Sequence, residues 1–150
     1  MLRNIDPLLT PELLYVLAAM GHSDQIAVVD ANFPADAVGR QTVYGRVVRL
    51  AGTTTPMAVR AILSLLPLDD AVEGPVRRMA VDGRPEEVPI VQREVQAEVD
   101  SSAGRGLEMA ALERVAFYEK AGLCYAVVAT GERRFWGNIL LAKGAVAPEA

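Results

Sequence analysis

The only histidine of the chain, His22, lies just upstream of an apolar run that ends in a carboxylate, in the stretch GHSDQIAVVDANFPA (21–35). Histidine exchanges protons near neutral pH more readily than any other side chain. Because His22 directly follows Gly21 at the expected end of a helix, a tight turn there would present the imidazole at the rim of a pocket. The alternative is a structural or merely exposed histidine, and Asp24 is interpreted as a turn former.

Asp30 ends the apolar run Gln25–Val29, which reads as a buried strand. Ligands of α/β proteins often bind at the carboxyl ends of strands, where a carboxylate can accept hydrogen bonds from hydroxyl groups. A capping or turn aspartate would occupy the same position in a protein without a site. The residues alone leave both interpretations open.

The second candidate segment is TGERRFWGN (130–138), which ends in Trp136, Gly137 and Asn138. Carbohydrates stack their C–H faces on aromatic rings, and an amide offers both a hydrogen-bond donor and an acceptor. The only tryptophan beside a glycine and an amide, at a turn-to-strand junction, therefore suits a sugar. The glycine–lysine spacing of a phosphate-binding loop is absent.

The elements that must position these residues alternate between helix and strand, which predicts an α/β fold, or a three-layer arrangement. Thr10, Pro11 and Glu12 are typical of a helix start, and Gly21 is expected just past the end of that helix. Thr55 and Pro56 repeat the cap-plus-proline opening. The predicted strands are Gln25–Val29, Thr42–Val48, Val76–Val81, Leu123–Ala129 and Asn138–Leu141; the other predicted helices are Met57–Leu66, an exposed helix over Val88–Val99, and Leu107–Ala121 on propensity alone.

Composition limits the class of protein. The chain has 150 residues, of which 51% are hydrophobic and 23% charged, so residues 1–150 are expected to form one domain with a real core. A net charge of -4 without a basic run argues against nucleic acid as a partner. No segment has the length of a membrane span or the pattern of a signal peptide, which favours a cytoplasmic protein. The one cysteine, Cys124, reads as a buried inert thiol, and the spacing of His and carboxylates suggests no metal site.

Taken together, the blocks MGHSDQIAVVDANFPA, RVAFYE, TGERRFWGN and ILLAKG resemble the L-fucose mutarotase family, which is related to the D-ribose pyranases. The resemblance covers nearly the whole chain, although residues 51–106 match mainly in outline. It implies a single three-layer α/β/α-like domain and a cofactor-independent isomerase that interconverts the α and β anomers of a monosaccharide, with L-fucose the best candidate. It also places a strand over Glu108–Leu112, where propensity alone predicts helix.

The resemblance assigns roles to individual residues. His22 matches the proposed proton donor, Asp30 and Arg114 match ligands of the sugar, and Trp136, Gly137 and Asn138 match a Tyr-Gly-Asn triplet. Tryptophan in place of tyrosine keeps a ring for stacking but removes the phenolic hydroxyl. The family implies a homo-oligomer, most often a decamer, in which pockets lie at subunit interfaces.

Two alternatives to the mutarotase remain open. A ribose pyranase would interconvert pyranose and furanose forms, but that branch carries histidine where this chain has Arg114. A non-catalytic sugar-binding or transport-accessory protein is the other, and the missing hydroxyl at Trp136 favours it.

Overall fold

The structure is a computed structural model that describes residues 1–149. Helices and strands alternate along most of the chain, as the sequence predicts. Their bounds are α1 Pro11–Ala19, β1 Gln25–Val29, α2 Ala35–Gly39, β2 Val47–Leu50, α3 Thr55–Leu63, β3 Val76–Met79, α4 Ile90–Ala103, β4 Ala110–Leu112, α5 Arg114–Gly122, β5 Ala126–Thr130 and β6 Ile139–Ala142.

The six strands form one sheet in the order β2-β5-β1-β6-β3-β4. Strand β1 runs parallel to β5 and antiparallel to β6, and β6 is also antiparallel to β3. Strand β6 therefore runs against all the others. The carboxyl ends of β1, β3, β4 and β5 consequently lie on the same side of the sheet as the start of β6. We call this side, which is formed by strand ends and not by an outer strand, the carboxyl edge. The opposite edge is called the amino edge.

Both faces of the sheet are covered, so the predicted three-layer α/β/α architecture is confirmed. Strand residues alternate between the faces, as the side-chain period of two requires. Ile26 and Val28 belong to a core with α1, α3 and α4, whereas Ala27 and Val29 belong to a second core with α2 and α5.

Two helices begin where threonine and proline predict, although one cap is shifted. The Thr10 hydroxyl oxygen accepts a hydrogen bond from the Leu13 amide at 3.2 Å, and Pro11 opens α1. The predicted cap Thr55 is wrong by one residue, because Thr54 is the residue with extended backbone that caps α3. The Thr55 hydroxyl instead donates to the carbonyl of Gly137 at 2.8 Å.

The predicted helix over 107–121 is wrong in its first part. Ala110–Leu112 form strand β4, and α5 begins at Arg114 after Glu113, whose carboxylate accepts from the amides of Val115 and Ala116. These amide hydrogen bonds lower the pKa of Glu113 below its usual value. The strand that the family resemblance implies over Glu108–Leu112 is thus confirmed in its last three residues.

Helix α4 is less exposed than its charges predict. Its charged residues alternate with a stripe that is fully buried, namely Val91, Val95, Val99 and the amide of Gln92. The other differences are boundaries: Thr42 lies in a turn and strand β2 is shorter and later than predicted, and Leu123 precedes rather than begins β5. Cys124 is buried as predicted, and burial raises the pKa of its thiol to about 12.

Candidate active site

A cavity of about 160 Å³ opens at the carboxyl edge of the sheet. Each wall comes from the end of a strand or from the helix or turn beside it. The wall holds four of the residues predicted from sequence, together with a mostly apolar and aromatic set that was not predicted. The lining residues are Asp30, Arg114, Trp136 and Asn138, with Asn32, Phe33, Met79, Tyr118 and Phe135.

Asp30 is a buried carboxylate at the end of β1. One oxygen, Oδ1, accepts from the amides of Asn32 and Phe33 at 3.0 Å each, and Oδ2 accepts from the Gly137 amide at 3.2 Å. Burial raises the pKa of Asp30 above its usual value, while these amide hydrogen bonds oppose the rise. Asp30 thus closes a turn, as one interpretation predicts, and it also lines the cavity, while its binding of a hydroxyl group stays a prediction.

Gly137 and Asn138 tie this turn to the start of β6. The Asn138 side-chain oxygen accepts from the Asp30 amide at 2.8 Å, while its Nδ2 donates to the Met79 sulfur at 3.6 Å and the Asn138 side chain also interacts with the Asp30 carboxylate, which opposes the rise in the pKa of Asp30. Since sulfur is a weak acceptor, the amide N–H groups can still donate to a ligand. A side chain at Gly137 would lie 2.9 Å from Glu132 Cγ and 3.0 Å from Thr55 Oγ1, so only glycine fits. Gly137 supports the cavity through its backbone and does not line it.

Trp136 has a backbone φ of 69°, in the left-handed region that side-chain-bearing residues rarely adopt. Its carbonyl oxygen accepts a hydrogen bond of 2.8 Å from Gln92 Nε2, which also donates to the Met79 carbonyl at 2.7 Å. Arg78 Nη1 in turn donates to Gln92 Oε1 at 3.2 Å. The fully buried Gln92 therefore holds the backbones of two cavity residues together.

The turn before Trp136 is ordered by a carboxylate that the sequence analysis did not single out. Glu132 is buried and accepts from the Arg134 side chain at 2.9 Å and from the Thr55 amide at 3.3 Å. Arg134 also donates to Glu94 at 2.9 Å. Burial alone would raise the pKa of Glu132, but the hydrogen bonds from Arg134 outweigh it and lower the pKa. Arg134 is thus part of the frame of the cavity.

Arg114 begins α5 and is fixed from two sides. Its Nε donates to Asp82 at 3.0 Å, and its guanidinium lies 5.8 Å from the centre of the Tyr118 ring. The side chain is 42% exposed, so its remaining N–H groups can reach a ligand in the cavity. A guanidinium donates several hydrogen bonds in a fixed plane, which suits neighbouring hydroxyls.

His22 lies at the amino edge, away from this cavity. It stands before β1, Asp30 stands after it, and the five strand residues between them span roughly 13 Å. His22 Nε2 lies 3.2 Å from Oδ1 of Asp69, a buried carboxylate that the Ser23 hydroxyl also approaches at 3.4 Å. One chain therefore brings Asp30, Arg114, Trp136 and Asn138 together but does not bring His22 to them.

Asp69 is a residue that sequence reasoning missed. Burial would raise the pKa of its carboxyl, but hydrogen bonds from His22, the Ala71 amide and Ser23 lower it below the usual value. The Asp69 carboxylate holds Nε2 of the imidazole, and the His22 side chain as a whole is 53% exposed. A carboxylate that fixes one ring nitrogen while the other faces a reactant is a recurring arrangement in acid–base catalysis.

Two further observations concern other kinds of site. Within residues 1–149, no three His, Cys, Asp or Glu side chains are grouped so that they could hold a metal ion. No helix in the described part of the chain is long and apolar enough to cross a membrane.

Comparison with known proteins yields one family. Residues 3–146 match the model of the RbsD / FucU transport protein family. The fucose mutarotase of Danio rerio is 41% identical over 152 residues, which cover 99% of this chain and 96% of that protein. The human fucose mutarotase is 41% identical over 149 residues, covering 97% of this chain and 95% of the relative.

Solved structures agree with the sequence matches. The structure of the fucose mutarotase from Streptococcus pneumoniae in complex with L-fucose superimposes with a TM-score of 0.85 at 32% identity and covers 97% of this chain and 100% of that one. Bacillus subtilis RbsD complexed with D-ribose gives a TM-score of 0.70 at 20% identity, covering 98% and 100%, and this likeness shows the shared fold alone.

Proposed function

The chain belongs to the RbsD / FucU transport protein family, and on that premise we propose that it is a mutarotase that interconverts the α and β anomers of L-fucose. The names of the relatives at about 40% identity and the L-fucose complex of a similar structure support this assignment. The observation on this chain that carries it is the cavity in which Asp30, Arg114 and Asn138 converge beside the Trp136 ring.

The reaction needs only proton transfers. A base removes the proton from the anomeric hydroxyl, the bond between C1 and the ring oxygen breaks, and an acid protonates that oxygen to give the open-chain aldehyde. Rotation about the C1–C2 bond and reclosure on the other face of the carbonyl complete the exchange. Positioned acid–base groups typically contribute about 10²–10⁴-fold, which is enough to improve on a reaction that already occurs in water.

The polar and apolar parts of the cavity suit a 6-deoxy sugar. Asp30 and Asn138 can bind hydroxyl groups, and Arg114 can donate to two neighbouring ones. Phe33, Phe135 and Met79 form an apolar wall against which C–H groups or a methyl group can pack. A ribose pyranase is less well supported, because that branch has histidine in place of Arg114 and the ribose-bound relative is only 20% identical.

We further propose that His22 is the proton donor and that it reaches the sugar from a neighbouring subunit. Asp69 holds its ring, and its half-exposed side chain lies at the amino edge, at the opposite end of β1 from the cavity. The active protein would then be a homo-oligomer, the decamer that the family resemblance implies, with each site made from the carboxyl edge of one subunit and the amino edge of the next.

Exposed apolar side chains at both edges support this assembly. Near the amino edge, Tyr15, Val43 and Leu123 are 61%, 70% and 84% exposed. At the cavity, Phe135 is 72% exposed and Val115, beside Arg114, is 51% exposed. Apolar patches of this kind beside two incomplete halves of a site are typical of surfaces that become buried in an oligomer.

Saturation-transfer NMR on L-fucose and D-ribose tests the activity, because it measures anomer exchange and ring-form exchange separately. Accelerated exchange between the L-fucose anomers is expected. Ring-form exchange of D-ribose alone would assign the pyranase activity, and binding without any exchange would assign a non-catalytic sugar-binding protein.

Complementation tests the shared site. Inactive His22→Ala and Trp136→Ala variants, dissociated and reassembled together, should regain part of the activity, since mixed neighbours restore some intact sites. Light scattering on the same samples gives the oligomer mass. An active monomer would contradict the proposal.

Two expectations from sequence complete the proposal. Residues 1–150 are taken as a single mutarotase domain, which one cooperative unfolding transition would support. A cytoplasmic location is expected as well, and fractionation of the source cells would test it.

A further inference from the structure

The turn that carries His22 follows directly on α1. Gly21 lies just past the end of α1, as the sequence predicts, but its φ is not positive, and the left-handed residue of the turn is Ser23 with a φ of 71°. The last carbonyls of α1 instead accept from a distant side chain. The ammonium of Lys143 donates to the carbonyl of Leu17 at 2.7 Å and to that of Met20 at 2.5 Å.

The backbone of Lys143 holds the other side of the same turn. Its carbonyl accepts from the Ser23 amide at 2.8 Å, and its amide donates to the Asp24 carbonyl at 2.8 Å. Lys143 therefore forms hydrogen bonds with the chain on both sides of His22. Its side chain binds residues before the histidine, and its backbone binds residues after it.

The position of Lys143 is itself fixed by the sheet. It directly follows β6, in which Ala142 is paired with Gln25 and Ile139 with Val28. Within residues 1–149 its ammonium has no carboxylate within ion-pair distance, and its positive charge lies at the negative end of α1. Lys143 belongs to the block ILLAKG, in which the residues before it form β6, and the proposed chemistry gives Lys143 itself no role.

We propose that Lys143 is a positioning residue for His22: its ammonium fixes the end of α1 so that the imidazole, held by Asp69, points at the sugar of the neighbouring site. This inference rests on the proposed function. A misplacement of about 1 Å in a catalytic group can cost about 10²-fold in rate. Loss of the ammonium should therefore lower kcat and leave the sugar-binding residues, which lie at the other edge, unaffected.

The test uses Lys143→Met, which keeps most of the stem and removes the charge, and Lys120→Met as a matched control. Lys120 is the only other lysine, and it lies in the last turn of α5, which packs on the opposite face of the sheet from α1. We expect Lys143→Met to lower kcat for L-fucose anomer exchange at least tenfold with KM changed less than twofold, and Lys120→Met to change neither. A wild-type kcat in Lys143→Met, or an equal loss in Lys120→Met, would overturn the proposal.

Chemical rescue separates positioning from a general loss of structure. Lys143→Cys, alkylated with bromoethylamine, regains an ammonium at the length of lysine, and the buried Cys124 does not compete for the reagent. Return of kcat on alkylation is expected, as is higher activity in Lys143→Arg than in Lys143→Met. Failure of both would contradict the role of the charge.

A readout that does not depend on activity distinguishes failure of this inference from failure of the proposed function. Because the chain has one histidine, carbon-13 labelling of histidine gives NMR signals of the His22 ring alone. Lys143→Met should shift or broaden these signals, and Lys120→Met should leave them unchanged. Unchanged signals in Lys143→Met would refute the inference even if the wild-type protein proved to have another activity.

Discussion

Replacing Gln92 by methionine tests whether the cavity depends on a buried amide behind it. Methionine is similar in length but offers neither the donor nor the acceptor of the amide, so Gln92→Met would leave the carbonyls of Met79 and Trp136 without their donor and Arg78 Nη1 without one of its acceptors. An unsatisfied buried polar group costs about 1–3 kcal/mol. Because the contact with Trp136 is only partly buried and water can replace it, we expect a total loss of about 2–4 kcal/mol in the free energy of unfolding. A domain with about 5–15 kcal/mol of stability would remain folded.

The effect on the sugar follows from the backbone of Trp136. A left-handed conformation costs a residue with a side chain about 1–2 kcal/mol, and the Gln92 hydrogen bond helps to offset that cost. Without it, the ring should spend part of its time outside the binding conformation. A net hydrogen bond of about 1 kcal/mol corresponds to about a fivefold rise in the apparent Kd for L-fucose.

Gln96 provides the matched control for this experiment. It lies one turn further along α4 and also bridges backbone groups, donating to Leu107 at 2.6 Å and accepting from Met109 at 2.9 Å, but it does not touch the cavity. Urea unfolding and titration of tryptophan fluorescence with L-fucose measure both quantities. Gln92→Met should lose stability and affinity, whereas Gln96→Met should lose stability alone. Equal affinities in the two variants would refute the reasoning.

Three further predictions concern the cavity and its frame. Asp30→Asn should weaken L-fucose binding, measured by the same fluorescence titration, because an amide is a weaker acceptor than a carboxylate and must also turn an N–H group toward the Gly137 amide; unchanged affinity would speak against a sugar contact. Trp136→Tyr should raise the anomer exchange rate if a phenolic hydroxyl takes part in the reaction, and little change would assign the ring to packing. Glu132→Gln should reduce the dependence of stability on acid: the folded pKa lies below the usual 4.5, so the carboxylate stabilises the fold above that pH and loses its contribution as the pH falls through the folded pKa. Urea unfolding at pH 7 and at progressively lower pH measures the difference, and parallel curves for the variant and the wild type would contradict it.

The parts of the fold that the sequence predicts are those set by local rules. The cap-plus-proline signal locates α1, and the apolar run Gln25–Val29 locates β1 to the residue. Local propensity fails over residues 107–121, because pairing of Ala110–Leu112 with β3 overrides a sequence that favours helix. The sequence of α4 likewise gives little sign of its burial, because its buried valines recur only every fourth residue and charged residues lie between them.

The candidate site divides in the same way. Asp30, Trp136 and Asn138 are predictable because each stands at a strand end, and strand ends of this topology share an edge. Gln92, Asp69 and Lys143 are not, because each acts through a contact with a residue 44 to 126 positions away. Two of these residues do carry a signal in the sequence. Gln92 lies within a stripe of valines, and Lys143 directly follows a buried strand.

The antiparallel pairing of β1 with β6 gives the proposed assembly a direction. The cavity lies at one end of this strand pair, and the His22 turn with Lys143 lies at the other, so each subunit offers one donor half and one acceptor half. Subunits that join the His22 edge of one to the cavity edge of the next form a head-to-tail row. An open row always leaves one cavity without a histidine at one end and one histidine without a cavity at the other. Only a closed ring uses every half. Catalytic capacity per subunit would then depend on ring closure, so that dilution or a damaged interface would cost activity before any residue of the cavity had moved.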